Sequence, residues 1–316
     1  MYYLGIDIGG TNIVVGIIDQ NYNIIGSESF KTLAPRSAES ICDDIAKTAQ
    51  KLAKTCKIDY NDIKAAGAAS PGIISNGVCE FANNLGFKNV PLAQMLGEKL
   101  SMKTYLLNDA NAAAFGEFAA GCGKGKDSLV MLTIGTGIGG GIVIDKNLFE
   151  GADGLGAEMG HFIVKADGRK CSCGTKGCLE SYCSATALIK DTKTAMEKNP
   201  DSLMWSLCPE IEKVNGTTVF RAAEKGDKSA KRVLKQFIKY LSVGVYNIIV
   251  LFQPEVICIG GGMSREEENL LKPIRNFVKK NSLAALIGRN TEIRPALLFG
   301  DAGLIGAAAF AKKESK

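Results

Sequence analysis

The chain predicts an α/β protein of two related halves facing a cleft, and three observations carry that prediction. Residues 2–19 run through an apolar strand, the turn Gly9-Gly10-Thr11-Asn12 and a second apolar strand. Residues 129–145 repeat this layout without a gap at an offset of 126, with Ile8 on Ile134, Gly9 on Gly135, Ile18 on Ile144 and Asp19 on Asp145. Glycine clusters at 9–10, 135–141 and 260–262 each follow an apolar strand. At 316 residues the chain has room for about two domains.

The elements follow in order. A third strand near 24–31 comes after the Asn21-Tyr22-Asn23 turn. Ile41, Ile45, Ala49 and Leu52 give residues 37–56 the spacing of one helix face. A short buried strand at 63–69 ends at Pro71-Gly72, and a loop holding Asn83-Asn84 leads to a helix near 91–101. A strand at 104–107 runs into Asn108-Asp109, the expected domain boundary. Residues 184–252 read as mostly helical, with helices at 184–198 and 228–251 and irregular segments between them. Val256–Ile259 make a buried strand, Ser264–Glu267 a capping box, and a last strand lies near 291–298. Gly303-Leu-Ile-Gly306-Ala-Ala-Ala then predicts a helix of small residues that packs very closely on its neighbour.

Composition narrows the function classes. Apolar residues are 46% and charged residues 22%, ordinary for a soluble protein with a large core. The net charge of +5 is small and spread out, and the tail Lys312-Lys313-Glu314-Ser315-Lys316 reads as a solvated end. Neither a membrane span nor a secretion leader is expected, and ten cysteines then imply a reducing cytoplasm.

His161, Cys171, Cys173 and Cys178 place four metal-ligand side chains in a short stretch, and His161 is the single histidine of the chain. Thiolate sulfur and imidazole nitrogen suit Zn²⁺, and a Cys₃His set closes a tetrahedral structural site. Gly174 and Gly177 let the chain bend back so that Cys178 reaches the same ion. Inert thiols or a redox pair are the competing readings. Glu158 and Glu180 bracket the loop as either site groups or surface charges.

The glycine turns bring backbone N–H groups close to an anion, and Thr11 and Thr136 add hydroxyl donors. Gly135, Gly137 and Gly140 formally fit a dinucleotide fingerprint, but a strand follows where a helix is needed. Hairpin turns alone are the plainer alternative; three clusters together favour a phosphate cleft. Asp109 reads either as a helix N-cap or as a general base at a strand end. Asp7 either holds Mg²⁺ through water or bonds within its own turn.

Taken together, Asp7-Ile-Gly-Gly-Thr11, Asn108-Asp-Ala-Asn-Ala112, Ile134-Gly-Thr-Gly137, Glu158-Met-Gly-His161, the Cys171–Glu180 loop and Gly300-Asp-Ala-Gly303 resemble the ROK family of sugar kinases and repressors, most closely its bacterial glucokinases. The resemblance covers essentially the whole chain. It implies a two-domain, actin-like (ribonuclease-H-like) ATPase fold: residues 1–108 with a returning helix at about 301–316, and residues 109–300 carrying the zinc loop 158–180.

It further implies that Asp109 takes the proton from the 6-hydroxyl of glucose. Asn108, Glu158, His161 and Glu180 would bind the sugar, joined by Gly72 and Asn83. Asp7, Gly9, Gly10, Thr11, Asn12, Gly135, Thr136 and Gly137 would face the ATP phosphates and Mg²⁺, and Gly260, Gly261 and Gly262 the adenosine. His161 would offer one ring nitrogen to zinc and the other to the sugar. A homodimer without nucleic-acid or membrane partners is expected, since a strand at residue 2 leaves no room for a preceding helix-turn-helix. Kinases of other hexoses, among them N-acetylmannosamine, N-acetylglucosamine and fructose, are the nearest alternative. A sugar-responsive regulator without its DNA-binding module is a more distant one.

Overall fold

Apolar runs broken by glycine and polar turns form three sheets in the computed structural model, which describes the backbone of all 316 residues and every side chain except those of Arg265, Glu267, Ala284 and Ala285. The capping box expected at Ser264–Glu267 therefore lies partly outside the described residues. The strands are β1 (Tyr2–Ile8), β2 (Asn12–Asp19), β3 (Ile24–Lys31), β4 (Ile63–Ser70), β5 (Ile73–Ser75), β6 (Val78–Ala82), β7 (Phe87–Val90) and β8 (Thr104–Asn108). There follow β9 (Leu129–Ile134), β10 (Ile138–Ile144), β11 (Asn147–Phe149), β12 (Val256–Gly260) and β13 (Glu292–Pro295).

The first sheet has the order β3-β2-β1-β4-β8 and another has β11-β10-β9-β12-β13. The two orders are the same arrangement twice, a three-strand meander followed by two further strands. This is the repeat that the sequence carries at 2–19 and 129–145. In the first sheet β1, β4 and β8 are parallel, with Asp7 opposite Ala69 and Ser70 opposite Asn108. Asp7 and the Asn108-Asp109 pair therefore emerge at the carboxyl ends of parallel strands, where open α/β sheets bind ligands. Strands β5, β6 and β7 form a small antiparallel sheet where the sequence predicts a loop. At three to five residues each, they are too short to show a period.

The chain divides into one unit of residues 1–129, 141–157 and 297–316 and another of 130–140 and 158–296. In the first unit, Leu4, Ile6, Ile13 and Val15 join Ile41, Ile45 and Ala49 of helix Ala38–Thr55 in one core cluster. That helix starts at Ser37, whose hydroxyl oxygen accepts the Ser40 N–H at 3.2 Å. Tyr3, Ile18 and Ala65 pack instead with Leu304, Ala308 and Ala311 of helix Ala302–Glu314. Each fully buried Ile or Leu contributes about 1.5–3 kcal/mol.

The small residues of helix Ala302–Glu314 allow backbone-to-backbone contact. A methyl group at Gly67 would overlap the carbonyl of Ala307, and one at Gly306 would overlap that of Ala112. Because helix Asp109–Ala119 packs on this C-terminal helix, the first unit runs on to Leu129, and the boundary expected after residue 108 does not coincide with the structural one.

The second unit adds helices to its share of the second sheet. Irregular segments are expected around Asn199-Pro200 and Asn215-Gly216; helix Leu203–Leu207 lies between them, and Asn215 opens helix Gly216–Glu224 in a reciprocal capping box with Thr218. Helix Lys228–Phe252 is, by length and composition, long enough to cross a bilayer. Its residues Leu234, Phe237, Leu241, Val245 and Ile248 are buried at helical spacing, which is the pattern of a core helix.

Candidate active site and metal loop

In the first unit the turn after β1 is held from behind. The Gly9 N–H donates to the Asn12 carbonyl at 2.9 Å, and the Thr32 hydroxyl donates to the Gly9 carbonyl at 2.6 Å. Thr32 is fully buried, while Gly10, Thr11 and Asn12 are exposed. Gly10 faces the side chain of Asn84, in the turn between β6 and β7 that also holds Asn83. Thr32 does not announce itself in the sequence.

The N-cap of helix Asp109–Ala119 is Asn108, not Asp109. Asn108 Oδ1 accepts the N–H groups of Ala110 and Asn111 at 2.9 and 3.2 Å, while its Nδ2 donates to the Gly72 carbonyl at 3.0 Å. Gly72 sits at φ 102°, and a methyl group there would overlap the Phe81 carbonyl. With the cap supplied by its neighbour, the Asp109 carboxylate accepts the Ala110 N–H at 2.8 Å and is further held by its own backbone N–H and the Asn108 side chain. Its carboxyl is reachable by solvent at its surface, yet surrounding protein desolvates it enough to raise its proton affinity above the usual carboxylate range.

Asp7 is pushed up to about 6, first by burial and second by the negative charge of Asp109. Two carboxylates so placed suit a divalent cation, whose charge would relieve both. Below about pH 4 both folded and unfolded chains hold the Asp7 proton; as pH rises to about 6 the unfolded chain releases it first, so stability falls. Asp7→Asn is therefore expected to stabilise the metal-free protein at pH 7.5 by about 1–3 kcal/mol, with the gain vanishing near pH 4. Denaturation of both proteins at the two pH values, in chelator, checks this.

In the second unit the cysteine loop closes on itself. His161 Nδ1 lies 3.7 Å from Cys171 Sγ, and Cys173 Sγ lies 3.7 Å from Cys178 Sγ. The four ligand atoms all fall within 4.8 Å of one another. A tetrahedral zinc ion with bonds of about 2.0–2.3 Å needs ligand atoms about 3.5–3.8 Å apart. The set fits zinc.

Burial, followed by the neighbouring thiols, pushes the Cys178 thiol up to about 12. A divalent ion would offset the cost of ionising it. The turn depends on Gly177, at φ 88°, where a methyl group would overlap the Lys165 carbonyl. Glu158 precedes the short 3-10 turn Met159–His161, and its carboxylate is exposed.

Glu180 joins this loop to the second glycine turn. Its Oε2 accepts the Ile138 N–H at 2.9 Å, and Ser172 Oγ donates to its Oε1 at 3.3 Å. A methyl group at Gly137 would overlap that carboxylate. The turn is braced further by the Ala185 N–H on the Gly135 carbonyl and the Thr186 hydroxyl on the Thr136 carbonyl, both at 2.8 Å. Gly261, at φ 84°, comes so close to Ile134 that a side chain would strike its carbonyl, which sets Gly260–Gly262 beside the same turn. A cavity of about 780 Å³ opens here, lined by Thr136, Gly137, Ser172, Glu180, Thr186 and Lys190. Thr186 and Lys190 were not singled out from the sequence.

The structure thus gathers Asp7, the 9–12 turn, Gly72, Asn108 and Asp109 in one unit. It gathers the 135–137 turn, Glu180, the Cys₃His set and Gly260–Gly262 in the other.

Comparison with known proteins identifies the family and the fold. A family model described as the ROK family matches residues 3–314. A glucokinase of Thermotoga maritima is 37% identical over 98% of this chain and 97% of its own. A xylose repressor of Caldicellulosiruptor bescii is 31% identical over 89% of this chain and 71% of its own. A ROK family glucokinase from Streptomyces griseus, solved with glucose and AMPPNP, is 33% identical with a TM-score of 0.77, covering 99% of this chain and 100% of that one. An inorganic polyphosphate/ATP-glucomannokinase from Arthrobacter is 25% identical with a TM-score of 0.63 over 99% of both chains. The fold is the two-domain, actin-like α/β ATPase architecture, and the chain belongs to the ROK family.

Proposed function

We propose that the protein is an ATP-dependent sugar kinase that transfers a phosphoryl group to the 6-hydroxyl of glucose, with Asp109 as the general base. The observation that carries this reading is the state of Asp109: relieved of capping by Asn108, raised in proton affinity and next to Asp7 at the ends of parallel strands. A base of that kind accepts the hydroxyl proton as the oxygen attacks the terminal phosphorus of ATP. Asn108, Glu158, His161 and Glu180, with Gly72 and Asn83, form the proposed sugar shell.

The turns at 9–12 and 135–137 offer N–H groups to the phosphates, and the cavity beside the second is large enough for part of a nucleotide. Asp7 would hold Mg²⁺, which neutralises developing phosphate charge. His161, Cys171, Cys173 and Cys178 would hold a structural zinc ion that fixes the pose of the His161 ring. With Nδ1 turned to the sulfur cluster, Nε2 is left as the ring nitrogen for a sugar hydroxyl. The glucokinase relatives, one solved with glucose and AMPPNP, support this reading. We place the enzyme in the cytoplasm as a homodimer.

A coupled assay with ATP and Mg²⁺ over glucose, mannose, fructose, N-acetylglucosamine and N-acetylmannosamine tests the proposal. Glucose is expected to give the highest kcat/KM. A preference for another hexose would overturn the substrate assignment alone, and no turnover on any would overturn the kinase itself. The glucomannokinase relative makes polyphosphate the second donor to try. The xylose repressor relative makes a gel shift on sugar operons the check for a regulatory role, and no shift is expected.

A further inference from the structure

The first unit has another cavity, of about 430 Å³, in which none of the residues discussed above as sugar or phosphate ligands takes part. Its floor is aromatic and small: Phe115 and Phe118 from helix Asp109–Ala119, Tyr22 from the turn between β2 and β3, and Ala309 from the C-terminal helix. Its rim carries Lys126, Lys146, Lys312, Lys313 and Lys316. These come from three separate segments, so the solvated-end reading of the tail does not account for the grouping. Asp127, paired with Lys146 at 3.0 Å, is the one carboxylate among the lining residues described, with Glu314 at 3.4 Å from Lys313 just outside. The rim is therefore net positive.

Two of the ammonium groups are already held in place. Lys312 Nζ donates to the Gln20 carbonyl at 2.7 Å and lies 4.3 Å from the Tyr22 ring centroid. Lys313 Nζ donates to Asn147 Oδ1 at 2.8 Å. An ammonium has three N–H donors, so each keeps capacity for a ligand while its position is fixed. Ordering a lysine on binding normally costs conformational entropy, and part of that cost is already met here.

An aromatic floor under a ring of fixed cations suits a ligand with a flat or ring-shaped apolar face and a multiply charged anionic group. We propose that this cavity is a binding site for a small phosphorylated ring compound, its ring on Phe118 and its phosphate against Lys312, Lys313 and Lys146. A sugar phosphate and a nucleoside monophosphate share that chemistry. Inorganic phosphate lacks the ring and an alcohol lacks the charge.

Lysine acetylation of the full-length protein, read by mass spectrometry, tests the site with phenyl phosphate as probe. Phenyl phosphate is expected to protect Lys312 and Lys313 half-maximally at or below about 1 mM, with inorganic phosphate and phenol each at least roughly tenfold weaker. The Lys146→Gln/Lys312→Gln variant should weaken protection of Lys313 at least about tenfold while leaving phosphoryl-transfer turnover unchanged. Glucose 6-phosphate and AMP in the same footprint then separate the two sources; the one that protects identifies the class. Protection by inorganic phosphate equal to that by phenyl phosphate would reduce the site to an ordinary basic patch. Protection by neither metabolite, or by anionic lipid vesicles alone, would equally overturn it.

Discussion

Asp109→Asn is expected to lower kcat by about 10²–10⁴-fold while leaving the fold and the KM for ATP nearly unchanged. The substitution is clean because the neighbouring Asn108 caps the helix, and an asparagine oxygen still accepts the Ala110 N–H. What is lost is proton acceptance, together with the negative charge that raises Asp7. The raised proton affinity of Asp109 adds a second readout. In the wild type, kcat/KM should fall on the acid side with a midpoint above the usual carboxylate range, and the residual activity of the variant should lack that limb. Steady-state kinetics over pH would defeat the assignment if turnover stayed within about tenfold of wild type.

Cys178→Ser has the next largest expected effect, and it acts on a different quantity. Purified wild-type protein should carry about one zinc ion per chain, and the variant should lose nearly all of it, because the buried sulfur is the ligand least replaceable by water. Losing the ion releases a loop that Gly177 and the Val164 N–H to Gly177 carbonyl bond fold tightly, so Tm should fall by about 5–10 °C. The KM for sugar should rise more than kcat falls, since the proposed ion would orient His161 and not the phosphate. Cys173 is exposed, and Cys173→Ser should be milder on both counts. Elemental analysis and thermal denaturation decide the matter; wild-type protein that is active and metal-free would refute the zinc site.

What the sequence made legible was whatever one local pattern could encode. The doubled strand–turn–strand unit showed because apolar runs and glycine turns lie next to each other, and both sheets keep the same strand order. The Cys₃His set showed because its members fall within one loop. The cap did not. Asn108 and Asp109 are both good capping residues, and the choice is made by a bond from Asn108 to Gly72, far away in the chain. Thr32, which braces the Gly9 turn, is one threonine at the end of an edge strand with no local signature. The unit division is illegible in sequence for a similar reason: helix Asp109–Ala119 is held by residues almost 200 positions later, and no composition shift marks such a contact.

That distant contact has a consequence for how the protein comes into being. The helix that completes the first unit follows the strands it must cover by about 300 positions. During synthesis the β-sheet waits with one greasy side bare until residues 302–314 have been made, whereas residues 158–296 have no such appointment to keep. A nascent chain halted before residue 297 should therefore hold its second unit folded, and leave the unit bearing Asp109 to chaperones and proteases.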